Sequence, residues 1–306
     1  MGSQYFEKKS IASFLRVLVR MHTPVDPHPD DVLAVPSRDP DRTIKVHFYQ
    51  DPDAVDAAKP APAVVNFCGS GFTLRYFGTD DDYCHYISRR TGRAVLDVKY
   101  RLAPEHPFKA AFDDAEDVVS WVRSQPDRFD RSFLSLSGFS AGGNLALAVT
   151  SSSPLFMIGD DLDSRPEFHS VLAFYAPMNL SQPTPEKPQI DDRNLIMRKI
   201  FPHISHFCHK CLNPGRLDTA DPRFSPIFAD PHNFPSKVLI VTAAQDPFAI
   251  EGEELAEKIR HADGHHVVCQ RMERCPHGWD KKAKDGTPQG DAKREAYDLA
   301  VDMLRS

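Results

Sequence analysis

No stretch of the chain approaches the roughly 20 consecutive apolar residues needed to cross a bilayer. The N-terminal segment IASFLRVLVRMH is interrupted by Arg16 and Arg20, so it reads as an amphipathic helix rather than a signal core. The opening MGSQYF lacks the Ser or Thr at position 6 that N-myristoylation requires. With no targeting signal in view, a cytoplasmic location is expected. No run of lysine or arginine offers a phosphate-binding stripe, and the net charge of −6 argues against a nucleic-acid partner. Six cysteines scattered over 306 residues do not make a disulfide scaffold. The sequon at Asn179 carries no weight without a secretory signal. There is neither an internal repeat nor a low-complexity tail.

What is present is the composition of a globular protein, 41% hydrophobic and 26% charged. Short strand-like runs recur: TIKVHFY (43–49), APAVVNF (61–67), AVLDVKY (94–100), FLSLS (133–137), VLAFYAP (171–177), KVLIVTA (237–243) and HVVCQRM (266–272). Several are apolar on both faces, as strands covered on both sides of a parallel sheet should be. Helical spacing falls between them, through Phe108, Phe112, Ala115, Val119 and Val122, through Leu255 and Ile259, and through Tyr297, Ala300, Val301 and Leu304. The alternation predicts an α/β fold: a mostly parallel central sheet flanked by helices, in a single domain over 1–306. Prolines gather at 24–40, 183–188 and 222–235, which read as connections. Two segments break the alternation, about 1–25 and about 178–229. They are expected to form a helical cap, since a structureless loop of the second one's length does not suit a compact domain.

GFSAGGN (138–144) follows the strand FLSLS and opens a helix-compatible run. The pattern G-x-S-x-G, met by Gly138, Ser140 and Gly142, suits a sharp strand-to-helix turn that exposes a serine hydroxyl. A glycine-rich turn with an incidental serine is the plain alternative. A serine nucleophile needs a base and the base needs an orienting carboxylate, in the chain order Ser, Asp, His. Asp246 follows the strand KVLIVTA and His277 follows HVVCQRM. His261, His265 and His266 precede that last strand and belong at the opposite sheet edge; Asp280 reads as a solvated loop charge. An oxyanion needs N–H donors. Those of Ala141, and of Ser70 and Gly71 in VVNFCGSGF (64–72), are the candidates. HISHFCHKC (203–211) invites a zinc reading through Cys208 and Cys211, but no second ligand pair has finger-like spacing. Ile200, Ile204, Phe207 and Cys211 also fall on one face of a helix. No metal and no cofactor is expected.

At these blocks the chain resembles the hormone-sensitive-lipase-like esterase group of the α/β-hydrolases. CGSGF (68–72) stands where that group has H-G-G-G-F. DVKYRLAPEHPFKAAFDD (97–114) is close to its D-Y-R-L-A-P-E-H-P-F-P-A-A-x-x-D. GFSAGGNLAL, AAQDPFAIEGEELAEKI and PHGW match its Ser, Asp and His blocks. The resemblance implies Ser140 as nucleophile, His277 as base and Asp246 as its orienter. It implies an oxyanion hole from Ser70, Gly71 and Ala141, shaped by Gly69. Three positions depart. Cys68 replaces a histidine that orients the oxyanion loop. Ser70 replaces a glycine, with its hydroxyl as a further possible donor. Phe139 replaces an aspartate and makes the elbow more apolar. By the same analogy, the substrate is a short-chain or compact hydrophobic ester, secondary-metabolite esters included. Phe72, Phe139 and Trp279 are taken as substrate-binding residues, with Phe14, Leu15, Leu74, Phe201 and Phe207 as further candidates. An acyltransferase using the same triad and a catalytically silent small-molecule receptor stay open as alternatives. So does the choice between monomer and homodimer.

Overall fold

Apolar runs punctuated by proline and glycine become the strands of an eight-stranded sheet in the computed structural model, which describes residues 2–23, 25–54, 59–153, 168–187, 195–215 and 218–306. The strands are β1 (Asp31–Pro36), β2 (Thr43–Tyr49), β3 (Ala61–Phe67), β4 (Ala94–Val98), β5 (Phe129–Phe139), β6 (Ser170–Phe174), β7 (Lys237–Gln245) and β8 (His266–Pro276). Their order is β1-β2-β4-β3-β5-β6-β7-β8. β2 is antiparallel to both β1 and β4, and every other pair is parallel. The helices are α1 (Gly2–His22), α2 (Asp81–Thr91), α3 (Ala110–Arg123), α4 (Ala141–Ser152), α5 (Leu195–Leu212), α6 (Ala249–Arg260) and α7 (Pro288–Arg305).

The fully covered strands bury both faces, so each face seeds its own apolar cluster. Val65, Leu96, Leu136, Val171 and Ile240 pack against α3, α4 and α6. Val64, Val95, Phe139, Leu172 and Leu239 pack against α2 and α7. The alternation of elements anticipated this mostly parallel sheet flanked by helices, and the resemblance implied its α/β-hydrolase form.

Two elements went unread in sequence. β1 lies inside the proline-rich 24–40 stretch; it is an edge strand whose one buried side chain is Val35, so its apolar signal is thin. α2, with the sequence DDYCHYISRRT, buries only Tyr83, Cys84, Ile87 and Ser88. Strand ends also move: β4 and β6 stop early, at Val98 and Phe174, whereas β8 runs on to Pro276 and delivers the next residue, His277, at its tip.

The DVKYRLAPEHPFKAAFDD block earns its specificity structurally. Asp114 is fully buried and takes both Nη atoms of Arg42, at 2.7 and 2.6 Å, and Nε and the backbone N–H of Arg101. Glu105 accepts a two-pronged bond from Arg16, 2.9 Å on each oxygen, and Arg16 also donates to the carbonyls of Thr73 and Ala103. Arg16, read in sequence only as a charge interrupting an apolar run, is therefore the anchor that ties α1 to the body.

Candidate active site

β5 feeds α4 through a turn with no room for side chains. A Cβ on Gly142 would fall 1.8 Å from the Phe67 carbonyl oxygen, and one on Gly138 would fall 2.3 Å from the Gly142 carbonyl carbon. Between them Ser140 is forced to φ 51°, ψ −120°, a conformation L-residues rarely adopt. Its N–H is held by the Phe174 carbonyl at 2.8 Å.

Asp246 follows β7 and is fully buried; its Oδ1 accepts from the Phe248 N–H at 3.0 Å. Its Oδ2 lies 2.6 Å from His277 Nδ1. A carboxylate only accepts, so the ring proton sits on Nδ1 and the Nε2 lone pair faces Ser140 Oγ at 2.9 Å. Tyr175, Phe201 and Phe248 surround the imidazole, with ring centroids 5.0, 4.8 and 5.5 Å away. The three candidates, spread from position 140 to position 277, thus meet in one hydrogen-bonded line. His266 lies at the start of β8, away from this edge, as expected.

The loop after β3 is held by a chain of hydroxyls. Tyr100 Oη donates to the Cys68 carbonyl at 2.6 Å, and Ser70 Oγ lies 2.7 Å from Tyr100 Oη. With its proton spent on Cys68, Tyr100 accepts from Ser70, while Ser70 Oγ accepts the Phe72 N–H at 2.8 Å. The Ser70 hydroxyl is consumed in holding the loop and is not a spare oxyanion donor, which corrects one sequence expectation. The replacement of glycine at 70 is tolerated because the left-handed residues of this loop are its neighbours, Gly71 at φ 53° and Phe72 at φ 57°. Burial raises the Cys68 thiol well above its usual range, so it stays protonated and neutral. Ala141 is the first residue of α4, where a helical N–H has no intrahelical acceptor.

This geometry can be set beside known proteins. The sequence profile of the alpha/beta hydrolase fold family matches residues 64–281, well over half of the chain. Carboxylic ester hydrolase LipN of Mycobacterium tuberculosis is 30% identical over 204 residues, 66% of this chain and 53% of LipN. The 3-O-acetylpapaveroxine carboxylesterase CXE1 of Papaver somniferum is 36% identical over 110 residues, 34% of this chain and 32% of that enzyme. The chain belongs to the hormone-sensitive-lipase-like α/β-hydrolases. It spans about half the length of LipN and about a third of CXE1. An esterase structure from Pyrobaculum calidifontis superposes with a TM-score of 0.73 at 26% identity, covering 99% of this chain and 92% of the other. Carboxyl esterase 2 of Tuber melanosporum, at 19% identity and a TM-score of 0.72 over 92% and 87% of the two chains, shares the fold.

In this member of the family, a cavity of about 920 Å³ opens over Ser140 and His277. Its walls include Ser70, Gly71, Ala141, Phe72, Trp279, Leu15, Leu74 and Phe201, as anticipated. Leu18, Tyr175, Ile204 and Phe248 were not foreseen as its lining. Phe14 points away and is 64% exposed, and Phe207 packs on the core instead. On α5 the stripe facing the cavity is Phe201, Ile204, Ser205, Cys208 and Leu212, one residue round from the face read in sequence; Ile200 stands at its edge, 46% exposed. Cys208 and Cys211 are buried free thiols, raised by burial to about 12 and about 11. Among the described residues, no three His, Cys, Asp or Glu side chains come together as metal ligands.

Two further expectations are corrected. Phe139 does not reach the cavity. It ends β5 with its ring on the opposite sheet face from the Ser140 turn, stacked on Phe174 at 4.5 Å and edge-on to Tyr83 at 4.9 Å. Asp280 is no solvated charge but 1% exposed. It accepts from Tyr175 Oη at 2.6 Å and Tyr297 Oη at 2.9 Å and pairs with Lys281 at 2.8 Å. Burial opposes its charge, yet Lys281 and the two hydroxyls outweigh burial and keep its pKa below the ordinary value.

Proposed function

We propose that the chain is a serine carboxylic-ester hydrolase working through an acyl-enzyme, with Ser140, His277 and Asp246 as its triad. The observation that carries this reading is the hydrogen-bonded line from Asp246 through His277 Nε2 to Ser140 Oγ. His277 takes the Ser140 proton as Oγ attacks the ester carbonyl. Asp246 keeps the imidazole in the tautomer that can accept it and stabilises the imidazolium. The oxyanion is received by the Ser70, Gly71 and Ala141 N–H groups, each worth about 3 kcal/mol in sites of this kind. His277 then protonates the leaving alcohol, activates water, and the ester bond to Ser140 is cleaved to release the acid. α1 and α5 act as the cap. The mostly apolar cavity they help to close suits a short acyl chain or a compact hydrophobic ester. The esterase names of LipN, CXE1 and the Pyrobaculum protein support the reaction class.

The test is hydrolysis of p-nitrophenyl acetate, butyrate and octanoate. Wild type should turn over the shorter esters best. Ser140→Ala should lose activity, and Asp246→Asn should drop kcat by on the order of 10⁴ with an unchanged circular dichroism spectrum. A folded wild type with no activity on any of them, or an active Ser140→Ala protein, would overturn the reading.

A further inference from the structure

A second cavity, of about 1200 Å³, adjoins the first and shares Thr23, Ser70, Leu74 and Tyr76 with it. Its lining contains Arg16, Arg20, Lys45, Arg75 and Lys99, and no aspartate or glutamate among the described residues. Arg16 is committed to Glu105. Among the described residues, Arg20, Lys45, Arg75 and Lys99 make no ion pair. This is unexpected in a chain of net charge −6, where acidic side chains are in surplus.

Strand register sharpens the point. Val46 of β2 faces Val98 of β4, and the Lys99 N–H bonds the Lys45 carbonyl at 3.0 Å, so Lys45 and Lys99 stand directly opposite each other. Like charges at that position of an antiparallel pair repel. The local field is felt next door: the buried His47 imidazole packs on Phe77, a wall of the cavity, at 4.1 Å, and its Nδ1 has no partner among the described residues. Burial, then Lys45 and to a smaller extent Lys99, lowers its pKa to about 4 against the opposing charge of Asp81. Four uncompensated cations around one concavity concentrate positive potential there, and an arginine–lysine set of this kind recognises phosphate or carboxylate.

We infer that this basin is an anion-binding site that takes a phosphate or carboxylate group. Its occupant lies against Ser70 and Tyr100, the residues whose hydroxyls hold the oxyanion loop. The group has two possible sources, a free anion or the acidic tail of an ester seated at Ser140. The second source rests on the hydrolase reading; the site itself does not.

The decisive measurement is titration calorimetry of the full chain with inorganic phosphate and with glutarate at low ionic strength. Saturable binding should appear, weaken as salt is added, and weaken about tenfold in Lys45→Gln/Lys99→Gln and again in Arg75→Gln. No saturable heat in the wild type, or variants that bind like the wild type, would overturn the site. Two esters then separate the sources. If the anion is a substrate tail, the kcat/KM ratio of mono-p-nitrophenyl glutarate to p-nitrophenyl butyrate favours the acidic ester, and that preference falls about tenfold in Lys45→Gln/Lys99→Gln. If it is a free anion, calorimetry is positive and the ratio is the same in both proteins. Failure to hydrolyse either ester counts against the hydrolase reading alone, since calorimetry has already decided the basin.

Discussion

Lys281 Nζ lies 3.4 Å from the ring centroid of Phe139, the residue that precedes Ser140, and the same ammonium sits 2.8 Å from both Asp80 and Asp280. One buried cation thus ties together the start of α2, the loop carrying His277 and the strand carrying the candidate nucleophile. Burial works against the charge of Lys281, but Asp280 and Asp80 overcome it and raise its pKa. The ring face supplies a third attraction. The aspartate of related elbows would add a third carboxylate beside this pair, and the phenylalanine avoids it.

Replacing Lys281 with methionine leaves two buried carboxylates without their counter-charge. The expected loss is about 3–5 kcal/mol of unfolding free energy, the usual consequence of breaking a buried pair from one side. Urea denaturation at neutral pH checks it; a change below about 1 kcal/mol would show the pair to be dispensable.

Asp97 behaves in the opposite sense. It is fully buried, Oδ1 accepts from Asn66 at 2.9 Å, and Oδ2 has no partner among the described residues. Burial and then the charge of Asp80 raise its pKa well above the carboxylate norm. The folded state therefore holds a proton that the unfolded chain releases above about pH 4. Its contribution is full below that unfolded value and is lost as pH rises toward the folded pKa. Asp97→Asn keeps the acceptor for Asn66 and removes the titration. Its stability should fall less steeply than that of the wild type between pH 4 and 8, and parallel urea midpoints across that range would refute the assignment.

The hydroxyl chain of the oxyanion loop makes a kinetic prediction. Tyr100→Phe strips the Cys68 carbonyl of its donor, and Ser70→Ala frees the Phe72 N–H. Each should lower kcat about 10- to 100-fold with little change in KM, because a misplaced oxyanion donor is missed mainly in the transition state. The double variant should lose less than the product of the two, as expected of neighbours in one network. Additive losses would mean that the hydroxyls act separately.

The three residues of the proposed triad stand out in sequence because each sits just past an apolar run ending in turn residues, and strand ends are local signals. The glycine at 138 is crowded by its own turn, whereas the one at 142 is crowded by the Phe67 carbonyl of β3, which no local pattern connects to it. What was missed depends on distance. Asp280 owes its burial to Tyr175, a residue that no local pattern connects to it. Sequence puts the Phe139 ring at the elbow beside Ser140, whereas strand alternation turns it to the other face, onto Phe174. On α5 the face read in sequence divides: Phe207 and Cys211 pack on the core, while Ile204 lines the cavity and Ile200 is largely exposed, a division that only the body beneath sets.

Phe72, Ser140 and Tyr175 share a property besides their position: each adopts a positive φ without being glycine. Each such residue carries about 1–3 kcal/mol of strain. Each is restrained by a bond from a different part of the chain: Phe72 by the Ala103 N–H, Ser140 by the Phe174 carbonyl, and Tyr175 by the Val241 carbonyl. Ser140 and Tyr175 cannot be held before β5, β6 and β7 have come together, and Phe72 cannot be held before the loops after β3 and β4 have met. The arrangement around Ser140 therefore depends on contacts between distant parts of the chain rather than on local sequence, so turnover should report whether those strand ends remain docked.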